Sequence, residues 1–417
     1  MSSTDFWAPL FSVFYSHWFL LLVHYLFILA PVWLPLTLAF VLWNVWIEYI
    51  RSEFILKQKY VLLELKFPPE VYKSPLAMEL VLTNLRQTGG EGNWYAKYIQ
   101  GKMRPWYSIE IASFEGNIHF FFWTRASFKN LIEAQLYGQY PNIEINEVGD
   151  YTDMMPHYNK KKFSVWSNNF ILTKADPYPI KTYVDYGLDK DPKEEYKVDP
   201  FSHVLEYFST LQKGEFAWYQ IVFTAHKKKH KHGTWFGETT LEEEGKEVIK
   251  ELREKLLTKK GAGEHATEFE RIPTKGEADL FAAIERSTSK PAFDVGIRLI
   301  YFGEPDKFNG GRIASLLTLM SQYGSNNLNG FKPDHVADPF DFPWQDFNDF
   351  RKDKIKHHAV DAYRRRMFFY NPHKEHTFIL NTEELATIFH PIGSTLQTPM
   401  INRVTSRKGD APTNLPH

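Results

Sequence analysis

Two short basic runs are the first residues in this chain whose type and spacing point to a ligand. Lys227, Lys228, Lys229 and Lys231 crowd into residues 227–232, and Arg364, Arg365 and Arg366 form an uninterrupted triplet. Three readings stand for both runs. Clustered cations neutralise nucleic-acid phosphates, with affinity that falls as salt rises. They also meet anionic lipid headgroups, at about 1 kcal/mol per basic residue. The third reading is a solvated charge run. His357-His358 and His373-Lys-Glu-His376 have metal-ligand chemistry, but they hold an ion only where the fold brings acids to them; surface histidines without that role are expected. Residues 338–350 mix carboxylates with aromatics and lack the ligand spacing and central glycine of a calcium loop. They read as a loop that docks on a partner.

Other chemistry is missing from the sequence. No GxxxxGK[ST], GxGxxG, HExxH or GxSxG occurs. With 0 cysteines, disulfides, thiolate metal sites, cysteine nucleophiles and iron–sulfur clusters are excluded. No catalytic residue, cofactor site or metal site is expected, and the chain reads as a non-enzyme. An enzyme of another type would need a pocket with convergent carboxylates or histidines and shifted pKa values. The 417 residues, 43% hydrophobic and 24% charged, exclude wholesale disorder and suit two or three domains. A net charge of −1 gives no global field toward or away from nucleic acid.

The first element of the chain reads as a membrane segment. The 42 residues between Asp5 and Glu48 contain no Asp, Glu, Lys or Arg. As helix they would extend about 63 Å, roughly twice a hydrocarbon core, and Pro31 and Pro35 near the midpoint should break or bend them. The choice is a helical hairpin (about 10–30 and 32–50) or one span near 32–50 after an interfacial helix. Trp43, Trp46 and Tyr49, with Arg51 behind them, are the expected membrane-interface residues. Arg51, Lys57, Lys59 and Lys66 follow the apolar run and nothing basic precedes it. The positive-inside rule therefore places the rest of the chain in the cytoplasm, on an inner membrane.

Beyond residue 56 the expected class is α+β. Residues 60–67 read as a strand, 74–85 as a helix, 106–113 and 117–124 as a hairpin about Phe114-Glu-Gly116, 127–137 as a helix and 142–148 as a strand. That order, βαββαβ, is the split βαβ of ferredoxin-like domains. Strands at 163–173, 180–186, 215–225 and 293–302, with helices at 200–211, 240–257, 274–285 and 312–323, suggest a second ferredoxin-like unit carrying a helical insertion. Residues 326–348 read as loop, 352–366 as a basic helix and 377–381 as a strand, followed by a helix capped by Asn381 or Thr382. The division is an anchor at 1–56, a ferredoxin-like domain at 57–152, a second α+β domain at 153–390 and an extended tail at 391–417.

Four stretches carry a family resemblance: Trp46-Ile-Glu-Tyr-Ile-Arg-Ser-Glu-Phe-Ile55 leading to Val61-Leu-Leu-Glu-Leu-Lys66; Lys73-Ser-Pro-Leu-Ala-Met-Glu79; residues 128–141 with Glu147-Val-Gly-Asp-Tyr151; and residues 378–391 followed by Thr398-Pro and Asn414-Leu-Pro416. The chain resembles the membrane-anchored N-terminal region of type IV secretion and conjugation-like ATPases of the FtsK–HerA superfamily. There a RecA-like motor with a Walker lysine usually follows; this sequence holds none, so ATP hydrolysis is not carried over. The resemblance implies the anchoring and docking half of such a motor, standing beside a separately encoded ATPase or left from a split gene. The expected partners are the bilayer and a P-loop ATPase in trans, with a homo-oligomer and nucleic acid left open. The alternative function is a membrane-tethered nucleic-acid-binding protein that uses the two basic runs.

Overall fold

From His17 onward the apolar segment folds as α1 (His17–Ile28) and α2 (Ala30–Lys57). The chain then runs through β1 (Tyr60–Lys66), α3 (Leu76–Asn84), α4 (Trp94–Tyr98), β2 (Trp106–Phe114), β3 (Asn117–Arg125), α5 (Lys129–Gln139) and β4 (Glu144–Val148). The computed structural model describes residues 17–68, 73–189, 198–227, 230–231, 238–260, 267–334, 342 and 344–391. The tail expected beyond Pro391 lies outside them. Residues 1–57 with 90–103 form one compact unit, and residues 58–89 with 104–417 form another.

In the first unit only Leu29 separates α1 from α2, with Leu29 N–H bonding Tyr25 O at 2.9 Å and Trp33 N–H bonding Leu29 O at 3.1 Å. An antiparallel helix pair needs a loop of about 2–5 residues, so these two helices do not make the hairpin alternative. The helix is interrupted at Leu29 rather than at the prolines. Pro31 sits in the first turn, where its missing N–H costs little, and Pro35 is carried inside the helix. Among the described residues, α2 is the one helix long and apolar enough to cross a membrane, and its most apolar 18-residue window is 0% buried.

The second unit continues through β5 (Ser164–Leu172), α6 (Pro200–Ser209) and β6 (Glu215–Ala225). Two short hairpins follow, β7 (His230–Lys231) with β8 (Glu238–Thr239) and β9 (Leu257–Lys260) with β10 (Thr267–Glu270). Helices α7 (Leu241–Glu254) and α8 (Lys275–Ser289) precede β11 (Ala292–Gly303), α9 (Arg312–Thr318), β12 (Phe331–Pro333), α10 (Phe350–Arg364), β13 (Phe378–Asn381) and α11 (Thr382–Ile388). The sequence shows why several of these start where they do. Glu115 and Gly116 take φ of 55° and 90° to close the β2–β3 hairpin, and Thr240 with Glu243 forms a capping box on α7.

Nine of the described strands form one antiparallel sheet ordered β12-β5-β11-β6-β2-β3-β1-β4, with β13 added beside β11. Read outward from the central β2–β6 pair, the two halves repeat one pattern. The first half runs β2-β3-β1-β4 and the second β6-β11-β5-β12, with α7 and α8 inserted between β6 and β11. The regions expected as separate domains, 57–152 and 153–390, thus share a sheet through β2 and β6, whose register runs from Trp106↔Thr224 to Phe114↔Phe216. Both strands are almost wholly buried, because each face of the sheet is covered. One face packs Tyr107, Ile109, Ile111, Tyr219, Ile221 and Phe223 against apolar side chains of α3, α5, α6, α9 and α11. The other face carries Glu110, Trp218, Gln220 and Arg298 under Tyr363 and the residues just after α10.

Two expectations are corrected. Residues 180–186 form no strand, and 183–186 are turn, because the Asp185 carboxylate accepts Thr182 N–H at 2.9 Å and Thr182 Oγ1–H at 3.2 Å and folds the backbone on itself. Residues 326–348, expected as loop, contain β12, which pairs with β5 from Phe331↔Leu172 to Pro333↔Phe170.

Candidate functional site

The basic triplet does not stand on the surface as one patch. Arg366 is 1% exposed and its guanidinium donates to Glu110 at 2.9 and 3.2 Å and to both carboxylate oxygens of Asp150. Burial works against its charge, yet Glu110 and Asp150 hold it protonated well above the ordinary arginine range. Arg364 donates to Pro156 O at 2.6 Å and Asp153 at 3.0 Å, and Arg365 chelates both oxygens of Asp361 at 2.9 Å. All three expected lipid or phosphate contacts are thus committed to partners within the chain. Of the other run, Lys227 is exposed just beyond β6. Lys228 and Lys229 lie outside the described residues, and of Lys231 only the backbone, in β7, is described.

The network around Arg366 was missed in the sequence, although Glu110 signals it: a carboxylate between Ile109 and Ile111 in an apolar strand needs a buried partner. Glu110 also accepts from Ser108 Oγ at 2.7 Å, Tyr151 OH at 2.7 Å and Gln220 Nε2 at 3.0 Å. Glu110 and Gln220 stand opposite each other in the β2–β6 register. This is an enclosed junction of the two halves, not a site open to substrate.

The histidine runs likewise resolve into internal contacts. His373 lies 2.8 Å from Asp361 and 3.1 Å from His358, and His357 sits edge-on to Tyr158 with ring centroids 5.3 Å apart. Among the described residues no group of three or more histidine or acidic side chains is arranged to hold a metal ion. His376 instead lines a pocket of about 250 Å³ with Lys174, Asp176, Glu244 and Phe378 among its walls. Burial, with the charge of Glu244 adding to it, raises the Asp176 carboxyl above its ordinary range. The volume falls below the roughly 300–1,000 Å³ typical of small-molecule sites.

His390, at the end of α11, presents Nε2 to Asp199 at 2.9 Å and Nδ1 to Ala386 O at 2.9 Å. Two acceptors suit an imidazolium. Burial opposes both charges, but the pairing outweighs it: His390 is raised above 6.5 and Asp199 is held below 3.8. His390 thus contributes stability that is complete below about pH 6.5 and lost as pH rises through its raised value. Asp199 contributes above its ordinary value and loses that contribution as pH falls through its depressed one. Asp199→Asn is expected to lower unfolding free energy by about 3–5 kcal/mol at pH 6. Denaturant titrations at pH 6 and pH 9 should show the deficit shrinking at the higher pH; a deficit equal at both would reject the ion pair.

The surface with the plainest capacity to bind is the docking loop expected at residues 338–350. Asp346 accepts the Arg351 and Lys352 N–H groups at 2.8 and 2.9 Å, capping the first turn of α10 from outside. Asn348 and Asp349 take left-handed φ of 58°, which short amide and carboxylate side chains tolerate better than most. Lys160 holds Asp349 at 2.7 Å. The fixed turn throws four rings outward: Phe342 at 51% exposure, Trp344 at 73%, Phe347 at 86% and Phe350 at 73%. Phe342 and Trp344 stack with centroids 4.8 Å apart. On its other side α10 buries Val360, Ala362 and Tyr363. A cluster of large rings held in water by a capped turn is what a protein-binding face requires.

In the first unit Trp43, Trp46 and Tyr49 project from α2 at 43%, 40% and 61% exposure, and Arg51, one turn beyond Glu48, is half-buried. Trp46 Nε1–H donates to Tyr98 O at 3.0 Å, so these rings meet α4, an element absent from the sequence-based expectation. Asn93 followed by Trp94 is its one local signal, a cap ahead of a short helix.

Residues 94–403 match the model of a family described as a domain of unknown function, DUF8128. No curated protein matches the chain.

Proposed function

This chain belongs to the DUF8128 family, and we propose that it is a non-catalytic, membrane-anchored adaptor that docks a P-loop motor ATPase at the cytoplasmic face of the inner membrane. The observation that carries the reading is the exposed aromatic cluster at Phe342, Trp344, Phe347 and Phe350 on its capped turn. The anchor is α2, and the basic residues after it favour an inward-facing body. The strand order β2-β3-β1-β4, repeated as β6-β11-β5-β12, supports a ferredoxin-like reading of both halves, with α7 and α8 as the insertion in the second. The link to type IV secretion and conjugation machines rests on the resemblance in residues 46–66, 73–79, 128–151 and 378–391. In this reading the motor supplies hydrolysis and the adaptor supplies position.

A photoreactive amino acid in place of Trp344, in the full chain in its native membrane, tests this. The expected cross-linked product is a P-loop ATPase identified by mass spectrometry. Cross-links confined to proteins without a Walker motif, or none above an unirradiated control, would reject the docking role.

A further inference from the structure

We propose that residues 94–102 are a second membrane contact, a non-spanning collar whose side chains lie in the lipid headgroup layer beside the exit of α2. The proposal rests on the anchor reading of α2. The segment is small but tightly built. Asn93 Oδ1 caps it by accepting Ala96 N–H at 2.7 Å, Lys102 N–H closes it on Ala96 O at 2.9 Å, and Ala96 is buried beneath.

Its attachment sets its depth. Trp46 Nε1–H bonds Tyr98 O at 3.0 Å, and the Trp43 and Tyr98 rings lie 5.5 Å apart. Gly101, at φ +61°, comes so close to α2 that a Cβ there would sit 2.3 Å from Ile50 O. All three fastenings fall at residues 43–50, where the apolar face of α2 gives way to Glu48 and Arg51. That boundary is where a spanning helix meets the headgroups, and aromatic rings concentrate there.

What the collar then exposes matches that layer. Trp94 is 63% exposed, Tyr95 55% and Ile99 39%, while Lys97 reaches over the Tyr98 ring at 4.9 Å and Lys102 is exposed. Aromatic bodies with polar tips and lysines on long apolar stems place carbon in the acyl boundary and charge in water. With Trp43, Trp46 and Tyr49 they make one aromatic belt from two separate parts of the sequence. The occupant is therefore the bilayer surface to which α2 already commits this level of the protein.

The chain has 0 cysteines, so single cysteines can carry an environment-sensitive fluorophore without background. Four full-length variants suffice: Leu36→Cys in α2, Tyr95→Cys and Ile99→Cys in the collar, and Asp306→Cys on an exposed turn of the sheet unit. Each is reconstituted alone into vesicles of zwitterionic and anionic phospholipid, with nitroxide quenchers placed either near the headgroup or deep in the acyl chain. The expected result is quenching of the position 36 probe by the deep label. Positions 95 and 99 should be quenched at least twofold more by the shallow label than by the deep one, and position 306 by neither. Quenching at 36 with positions 95 and 99 behaving like 306 overturns the collar and leaves the anchor standing. Blue-shifted but unquenched probes at 95 and 99 indicate burial against protein, which also overturns it. An unquenched probe at 36 removes the anchor reading, and the collar falls with it.

Discussion

Arg366→Met is expected to lower the unfolding free energy of the chain by about 3–5 kcal/mol, the usual range when one partner of a buried ion pair is removed. The methionine fills much of the arginine's volume, so the loss is electrostatic rather than steric. Glu110 is 0% exposed at the middle of the sheet, and without the guanidinium its charge faces only the neutral donors of Ser108, Tyr151 and Gln220. Asp150 retains Thr152 N–H at 3.0 Å and Thr152 Oγ1–H at 2.7 Å but loses the partner that holds its carboxyl below the ordinary range against burial. Lysine is no substitute, because Arg366 also donates to Arg364 O at 2.7 Å and so serves three acceptors with one planar fork. Adding Glu110→Gln should recover about half of the loss, since the carboxylate left without its guanidinium partner is then gone. Denaturant unfolding of the detergent-solubilised chain, followed by tryptophan emission, gives the double-mutant cycle. A single variant within 1 kcal/mol of wild type, or a double variant no better than the single, would refute the account.

That arginine also shows where sequence reading stops. Three arginines in a row look like a surface patch, and nothing local says that Arg366 faces Glu110, 256 positions away. Only the carboxylate inside Trp106–Phe114 hinted at a buried cation. Elements whose causes are local were legible. The Phe114-Glu-Gly116 turn demanded positive φ, and residues 215–225 match β6 residue for residue. Elements set by distant pairing were not. Phe331–Pro333 is a strand because Asn329 pins the chain beside β5, accepting Lys174 N–H at 2.8 Å and donating to Tyr178 O at 3.0 Å. The flanking Asn and Gly read as loop for that reason. Residues 180–186 fail in the opposite sense, since their β-forming composition yields to the Asp185 side chain. The α4 collar was hidden because five residues are too few for a periodic signal. Residues 338–350, by contrast, announced rings and carboxylates together, and the four rings among the described residues stand exposed.

Trp344→Ala combined with Phe347→Ala should weaken binding of the partner captured at position 344 by more than about 100-fold while leaving the fold intact. A central tryptophan in a docking face typically contributes about 2 kcal/mol or more, near a 30-fold change in affinity, and Phe347 extends the same surface. Because these side chains are 73% and 86% exposed in the free protein, truncating them removes little buried area. Unfolding free energy should therefore stay within about 0.5 kcal/mol of wild type. Salt separates this mechanism from an electrostatic one. Lys352, Lys354 and Lys356 follow on α10, and docking through them would weaken steeply as the Debye length shrinks from about 10 Å at 0.1 M to about 3 Å at 1 M. Burial of aromatic surface would hold or strengthen over that range. Affinity measured at both salt concentrations, for wild type and the double alanine variant, decides between the two. Binding that survives the alanines but is lost in high salt would move the docking face from the rings to the lysines.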